Sequence, residues 1–155
     1  YILDFTLYRP RDIIVFLSAI TEDNYEIPIN FESLKKILFK YINKLRTEIE
    51  SELSLFFNEA EKTELFMVLE YIANHNCKRE DVIQVIAEQP KFSFSAERVF
   101  SILEEYSLIG YKNQQGESFF KCREQDLDDD EKRDMQLTLP RCILHNFKKI
   151  HARRY

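Results

Sequence analysis

The spacing of hydrophobic and polar residues in the first part of the chain predicts two helices. Residues 10 to 20 form one, because Pro10 suits a first helical turn and apolar side chains crowd the rest. These are Ile13, Ile14, Phe16, Leu17 and Ile20. Pro28 interrupts the pattern, and Asn30 is the predicted N-cap of a long helix from Phe31 to about Phe57. Its apolar positions recur at steps of three and four, at Leu34, Leu38, Tyr41, Leu45, Ile49, Leu53 and Phe56.

From Glu61 onward the pattern predicts three shorter helices followed by a β-hairpin. The helices cover residues 62–76, 79–89 and 96–108, and Ser95 caps the third. Their predicted core residues are Leu65, Phe66, Val68, Leu69, Ile72, Val99, Ile102, Leu103 and Tyr106. The two glycines of the chain follow, and we expect Gly110 to let the chain leave the helix and Gly116 to form the hairpin turn.

This order of elements predicts a mainly α fold in two parts. Residues 1–58 form a helical subdomain with the long helix, and residues 59–155 form a winged-helix domain with a small β-hairpin and a basic C-terminal tail. Three helices and a hairpin are the element order of a winged helix. The acidic stretch 124–134 lacks the glycine of a calcium-binding loop and is interpreted as a solvated connection. A short strand at Met135–Leu139 and a helix or turn complete the chain.

Composition narrows the class of protein. A formal net charge of -5 disfavours general coating of nucleic acid, although local basic patches stay open. No apolar run is long enough to span a bilayer, and no segment resembles a signal peptide, so we expect no membrane contact. Three widely separated cysteines indicate reduced thiols and a cytoplasmic location. The apolar pattern is already under way at Tyr1, which suggests a piece of a longer protein.

No catalytic or metal site is predicted in this chain. The sequence contains neither a Gly-x-Ser-x-Gly elbow nor a glycine-rich phosphate loop. His75 with Cys77, and Cys142 with His145, are suitable residue types for zinc, but their spacing is unusual for a zinc site. Packed thiols and surface histidines are the preferred interpretation.

Basic residues near the hairpin and in the tail are the candidates for contact with nucleic acid or another partner. The third helix of the winged-helix unit is unsuited to DNA, because Glu97, Glu104 and Glu105 outnumber its single cation, Arg98. A phosphate-contacting strip would instead use the hairpin and the tail. Its residues would be Lys112, Lys121, Arg123, Lys148, Lys149, Arg153 and Arg154. Cations scattered over the surface, without a common ligand, are the favoured alternative.

The segment "LYRPRDIIVFL", residues 7 to 17, resembles the PRD motif that opens the lid region in a group of prokaryotic P-loop ATPases of the AAA/STAND type. In that group a helical lid and a winged helix follow the nucleotide-binding core. The resemblance implies that Arg11, with Arg9 as a substitute, is the sensor-2 arginine that reaches the outer phosphates of ATP. The alternative is that Arg11 only pairs with an acidic neighbour on the helix surface. It also implies an N-terminal ATPase core in cis, which would bind ATP and Mg²⁺, and no cofactor in this chain.

Three functions are consistent with the sequence. The first is the non-catalytic C-terminal regulatory portion of a larger cytoplasmic P-loop ATPase, with a lid arginine that senses nucleotide and a winged helix that binds protein or nucleic acid. The second is a winged-helix DNA-binding regulator. The third is a helical interaction module that forms a homo-oligomer through the long helix, with Leu38 and Leu45 in the seam. An ordinary face packed on the core is the preferred interpretation of that helix, because its apolar spacing changes to repeated steps of four after Leu45.

Overall fold

The computed structural model describes residues 7, 10–22, 28–123 and 127–144. It is mainly helical and contains a small antiparallel sheet of three strands. The helices are α1 (Pro10–Glu22), α2 (Phe31–Leu53), α3 (Glu59–Asn74), α4 (Arg79–Ala87), α5 (Ala96–Glu105) and α6 (Asp129–Arg133). The strands are β1 (Gly110–Lys112), β2 (Ser118–Phe119) and β3 (Gln136–Thr138). The mainly helical class and the hairpin predicted from the sequence are confirmed.

Helix α1 packs against α2 through a narrow stripe. Phe16 and Ala19 are buried, and the Phe16 ring meets Tyr41 of α2 edge-on at 5.9 Å between centroids. Ile13, Ile14 and Leu17, which belong to the apolar cluster noted in the sequence, do not join this core, because all three are exposed. A contact with one neighbouring helix buries only one side of α1, and the apolar cluster is wider than that side.

Helix α2 begins where predicted and ends earlier. Asn30 accepts a hydrogen bond from the backbone N–H of Ser33 and caps the helix as expected. The last helical residue is Leu53, so the predicted end at about Phe57 was wrong. The cause is a capping box, in which Asn58 accepts from the N–H of Glu61 and Glu61 accepts from the N–H of Asn58. This box starts α3 at Glu59, so the chain must turn before it.

Glu61 ties the capping box to the segment that precedes α5, and its position predicts how stability depends on pH. Its carboxylate is buried and accepts hydrogen bonds from the N–H groups of Asn58, at 2.8 Å, and Ser93, at 2.7 Å. The bond from Asn58, followed by those from Ser93, lowers the pKa of Glu61. Because the folded pKa lies below the unfolded one, the carboxylate stabilises the fold above about pH 4.3 and loses this effect as the pH falls through the folded pKa.

We therefore expect Glu61→Gln to destabilise the protein at pH 7 by about 1–3 kcal/mol, since the amide cannot accept both bonds as well as the carboxylate does. The difference from the wild type should shrink as the pH falls below about 4. Thermal unfolding between pH 3 and pH 7 measures it, with the exposed Glu88→Gln as the matched control. A constant difference across this range would contradict the assignment.

The sheet has the strand order β2-β1-β3, with both pairings antiparallel. A strand was predicted at Met135–Leu139 and is present as β3, but its pairing with β1 was not predicted. The N–H of Leu137 also donates to the carbonyl of Cys77 at 2.8 Å. The sheet is thereby attached to the connection between α3 and α4.

The chain leaves α5 through Ser107, and not through Gly110 as expected. Ser107 has the positive φ, 55°, of a left-handed residue, and its buried hydroxyl accepts from the N–H of Cys122 at 2.8 Å. Gly116 has a φ of 87° in the hairpin turn, which confirms its predicted role. Gly110 lies inside β1, where the packing of neighbouring atoms, and not the sign of φ, requires a glycine.

Smaller differences concern the second half of the chain. The acidic stretch 124–134 is not only a loop, because Asp128 and Glu131 form a capping box that starts the short helix α6. Phe66 and Tyr106 are half-buried, whereas Phe100, omitted from the predicted core, is completely buried. Within the described residues, no helix combines the length and the apolarity that crossing a bilayer requires.

Candidate functional site

Arg11 lies at the start of α1 and points toward the end of α2. Its guanidinium nitrogen lies 2.6 Å from Glu52 Oε1 and 3.3 Å from Glu48 Oε2. The hydrogen bond to Glu52, followed by the charge of Glu48, raises the pKa of Arg11. Arg11 thus links two helices through ion pairs, while half of its side-chain surface stays exposed. Arg9, the predicted substitute, lies outside the described residues.

The aspartate of the PRD motif holds the chain that enters α1. Asp12 is completely buried, and its Oδ2 accepts from the N–H of Leu7 at 2.7 Å. Sequence reasoning missed this contact. The signal was present in the spacing, because Asp12, Phe16 and Ala19 lie four and three residues apart and share one face of the helix.

The link between α1 and α2 can be broken at modest cost. Arg11 is half exposed, and Glu48 and Glu52 keep 31% and 24% of their side-chain surface. Glu48 Oε2 is itself buried, but the Arg11 side of both pairs is half exposed, and exposed ion pairs contribute about 0–1 kcal/mol each. An incoming phosphate, which offers several acceptor oxygens and more negative charge, can therefore compete with the two carboxylates for the guanidinium.

Helix α5 does not present a cationic face. Arg98 lies 3.9 Å from Glu105, and Glu97 is exposed nearby. Glu104 binds Lys132 of α6, at 2.8 Å between Oε1 and Nζ. The acidic character predicted for this helix is retained in the structure, and Arg98 faces a carboxylate.

Lys112 in β1 and Lys121 in the 3₁₀ turn after β2 border different cavities, one on each side of the sheet. Lys112 is paired with Ser118 across the hairpin, so both side chains project from the face that we call the outer face. Tyr111 and Leu137 project from the opposite, inner face and are buried. Lys121 lies on the inner side, where it borders a small cavity together with Glu104 and Lys132. The predicted strip of cations is therefore divided by the sheet.

The side chains of the other residues in that strip lie outside the described part of the structure. Arg123 belongs to a short 3₁₀ turn, but its side chain lies outside the described residues. The tail cations Lys148, Lys149, Arg153 and Arg154 also lie outside them.

The outer face instead joins Lys112 to a cation that sequence reasoning did not select. Lys112, Ser118, Phe120, Thr138, Leu139 and Arg141 border a concavity of about 380 Å³, which we call the outer concavity. Arg141 reaches it because β3 pairs with β1 and places residues 139–144 beside the hairpin. The only sequence signal was that Arg141 closely follows a predicted strand, and the pairing of that strand could not be read from the sequence.

Two of the four residues considered for zinc are buried thiols, and a third, His145, lies outside the described residues. Cys77 and Cys142 are buried, and burial raises the pKa of these thiols to about 11 and about 12. His75 stacks on Tyr71 at 4.3 Å between ring centroids. In the part of the chain that the structure describes, no three side chains of His, Cys, Asp or Glu are grouped to hold a metal ion.

Comparison of the chain with protein-family models, with curated proteins and with solved structures found no match.

Proposed function

We propose that this chain is the C-terminal lid and winged-helix portion of a cytoplasmic P-loop ATPase and is itself non-catalytic. Arg11 would bind the outer phosphates of ATP held by an N-terminal core, and the second part of the chain would dock to a partner, either protein or nucleic acid. The observation that carries the proposal is the position of Arg11, which is half exposed at the start of α1 and forms ion pairs with Glu48 and Glu52 of α2.

The winged-helix arrangement is part of the same proposal. Its support is the order α3, α4, α5, β1 and β2, together with the antiparallel pairing of β1 with β2. The third strand, β3, adds to the other side of β1 and is connected to the residues between α3 and α4. Docking would then use the sheet or the tail, because α5 presents acidic side chains.

The proposal gives the ion pairs of Arg11 a function in coupling. Glu48 and Glu52 lie in the last turns of α2, just before the chain turns into α3. A phosphate that draws Arg11 away from these carboxylates would loosen the contact between α1 and the region that leads to the second part of the chain. An arginine suits this exchange because its planar guanidinium stays charged and offers forked donors to phosphate.

Recovery of the native protein from its source tests the proposal. An antibody against this chain should retrieve a polypeptide of more than twice its mass that contains bound ATP. A native polypeptide no larger than this chain, without nucleotide, would exclude the lid function.

In that native protein, Arg11→Ala should weaken ATP binding by about 10- to 100-fold, because hydrogen bonds between charged groups contribute about 1.5–3 kcal/mol. The double variant Glu48→Gln/Glu52→Gln is the matched control, since it releases Arg11 and leaves the guanidinium in place. It should strengthen ATP binding by about two- to tenfold. Equal losses in both variants would show that Arg11 serves only to hold the helices together. Nucleotide titration by calorimetry measures both.

A further inference from the structure

The outer concavity has the chemistry of a phosphate site. Among its described lining residues are two cations, Lys112 and Arg141, two hydroxyl side chains, Ser118 and Thr138, and no carboxylate. We propose that this concavity binds backbone phosphates of double-stranded DNA. The inference rests on the proposed partner-docking role of the second part of the chain and names the chemistry of that partner.

The four polar side chains complement a phosphodiester. Arginine offers several N–H donors in a fixed fork, lysine offers a mobile point charge, and serine and threonine hydroxyls are common donors to phosphate oxygens. A volume of about 380 Å³ is large enough for a phosphate and its flanking sugar atoms. Glu117, which lies between the lining residues Gly116 and Ser118, does not itself border the concavity, and its Oε2 accepts from Asn113 Nδ2 at 2.8 Å.

The floor of the concavity favours a duplex over a single strand. Proteins that bind single strands stack bases on exposed aromatic rings. The aromatic residue here, Phe120, is only 5% exposed and therefore serves as a floor and not as a stacking surface. Contacts would be restricted to the backbone, which a duplex presents continuously along its outside.

The sheet separates the concavity from the acidic side of the molecule. Glu104 lies near Tyr111 on the inner face, and α5 carries Glu97 and Glu105 on its exposed surface. A duplex on the outer face would therefore have the sheet between its phosphates and Glu104. Because the acidic side chains lie on the other side of the sheet, a chain with a net charge of -5 can still have a local site for polyanions.

Binding of a fluorescent DNA duplex to the 155-residue chain, followed by anisotropy over a range of salt concentrations, tests the inference. Lys112→Gln and Arg141→Gln should each lower the affinity by about tenfold near 50 mM salt and reduce the slope of log K against log salt by about 0.9. The loss should be the same for duplexes of different sequence, because only phosphates are contacted.

Lys121→Gln is the matched control, because it removes the same charge from the turn just after the hairpin, beside the cavity on the inner side. It should leave affinity and slope close to those of the wild type. Circular dichroism confirms that each variant is folded. Equal losses in Lys112→Gln and Lys121→Gln would overturn the inference, as would the absence of duplex binding by the wild type. Saturable binding of inorganic phosphate without duplex binding would also overturn it, and a failure here would leave the nucleotide test of Arg11 unaffected.

Discussion

Replacement of Gly110 by alanine should destabilise the protein by about 3 kcal/mol, more than the same replacement at Gly116. A Cβ atom on Gly110 would collide with the carbonyl oxygen of Phe119 and with the ring of Phe120. The carbonyl belongs to the neighbouring strand and cannot move without disturbing the β1–β2 pairing. The ring of Phe120 is buried, so it has little room to withdraw.

Gly116→Ala is the control that separates packing from backbone conformation. Its φ of 87° strains any other residue, but the nearest atom to an added Cβ, Lys112 Cε, lies at 3.9 Å, in ordinary contact. The cost should be about 1–2 kcal/mol, the usual penalty of a left-handed conformation. Urea unfolding of both variants measures the two free energies. A larger loss at Gly116 would show that turn conformation, and not packing in β1, is the dominant requirement.

Gly110 also connects the fold to the proposed DNA site. It pairs with Thr138 across β1 and β3, and the missing side chain leaves room for Phe120 to lie over the outer face. Phe120 then forms the floor of the outer concavity. We expect Gly110→Ala to weaken duplex binding as well, because displacement of this ring would alter the floor of the concavity.

Local signals in the sequence were sufficient for the starts of α2 and α5, but not for those of α3 and α6. Asn30 and Ser95 accept hydrogen bonds from the N–H groups at the third helical position, as their residue types predict. The end of α2 was predicted less well, because the apolar spacing continues through Phe56 and Phe57. The capping box at Asn58 and Glu61 overrode that spacing, and its signal is also local.

Nonlocal contacts could not be read in the same way. Whether Ile13 is exposed depends on how many elements pack against α1, and the sequence does not show that number directly. The same limit applies to the outer concavity, since Arg141 approaches Lys112 only after β3 has paired with β1. Lys121 lies in the 3₁₀ turn that follows β2 and borders a different cavity from Lys112, which the sequence of the hairpin does not reveal.

The structure also changes what a substitution in the long helix would test. The third function consistent with the sequence was dimerisation through this helix. Leu38 and Leu45 would form the seam in that function, but they are 7% and 2% exposed within a single chain, as the preferred interpretation of an ordinary core face expects. Their side chains belong to the hydrophobic core that contains α1 and α3 residues such as Phe16 and Leu69. A partner helix would therefore have to displace part of this core in order to reach them.

We expect Leu45→Glu to unfold the protein and not to produce a folded monomer. A carboxylate at this position would lose its hydration without gaining a hydrogen-bonding or charged partner, and the cavity left by leucine would add to this cost. We expect the free energy of unfolding to fall by about 4 kcal/mol or more. Phe39→Glu is the matched control, because Phe39 lies on the same helix and is 40% exposed. It should stay folded, with a loss of less than about 1 kcal/mol. Circular dichroism and light scattering separate the two outcomes. A dimeric wild type together with a helical, monomeric Leu45→Glu variant would support the seam. Loss of helicity in Leu45→Glu, but not in Phe39→Glu, would assign Leu45 to the core.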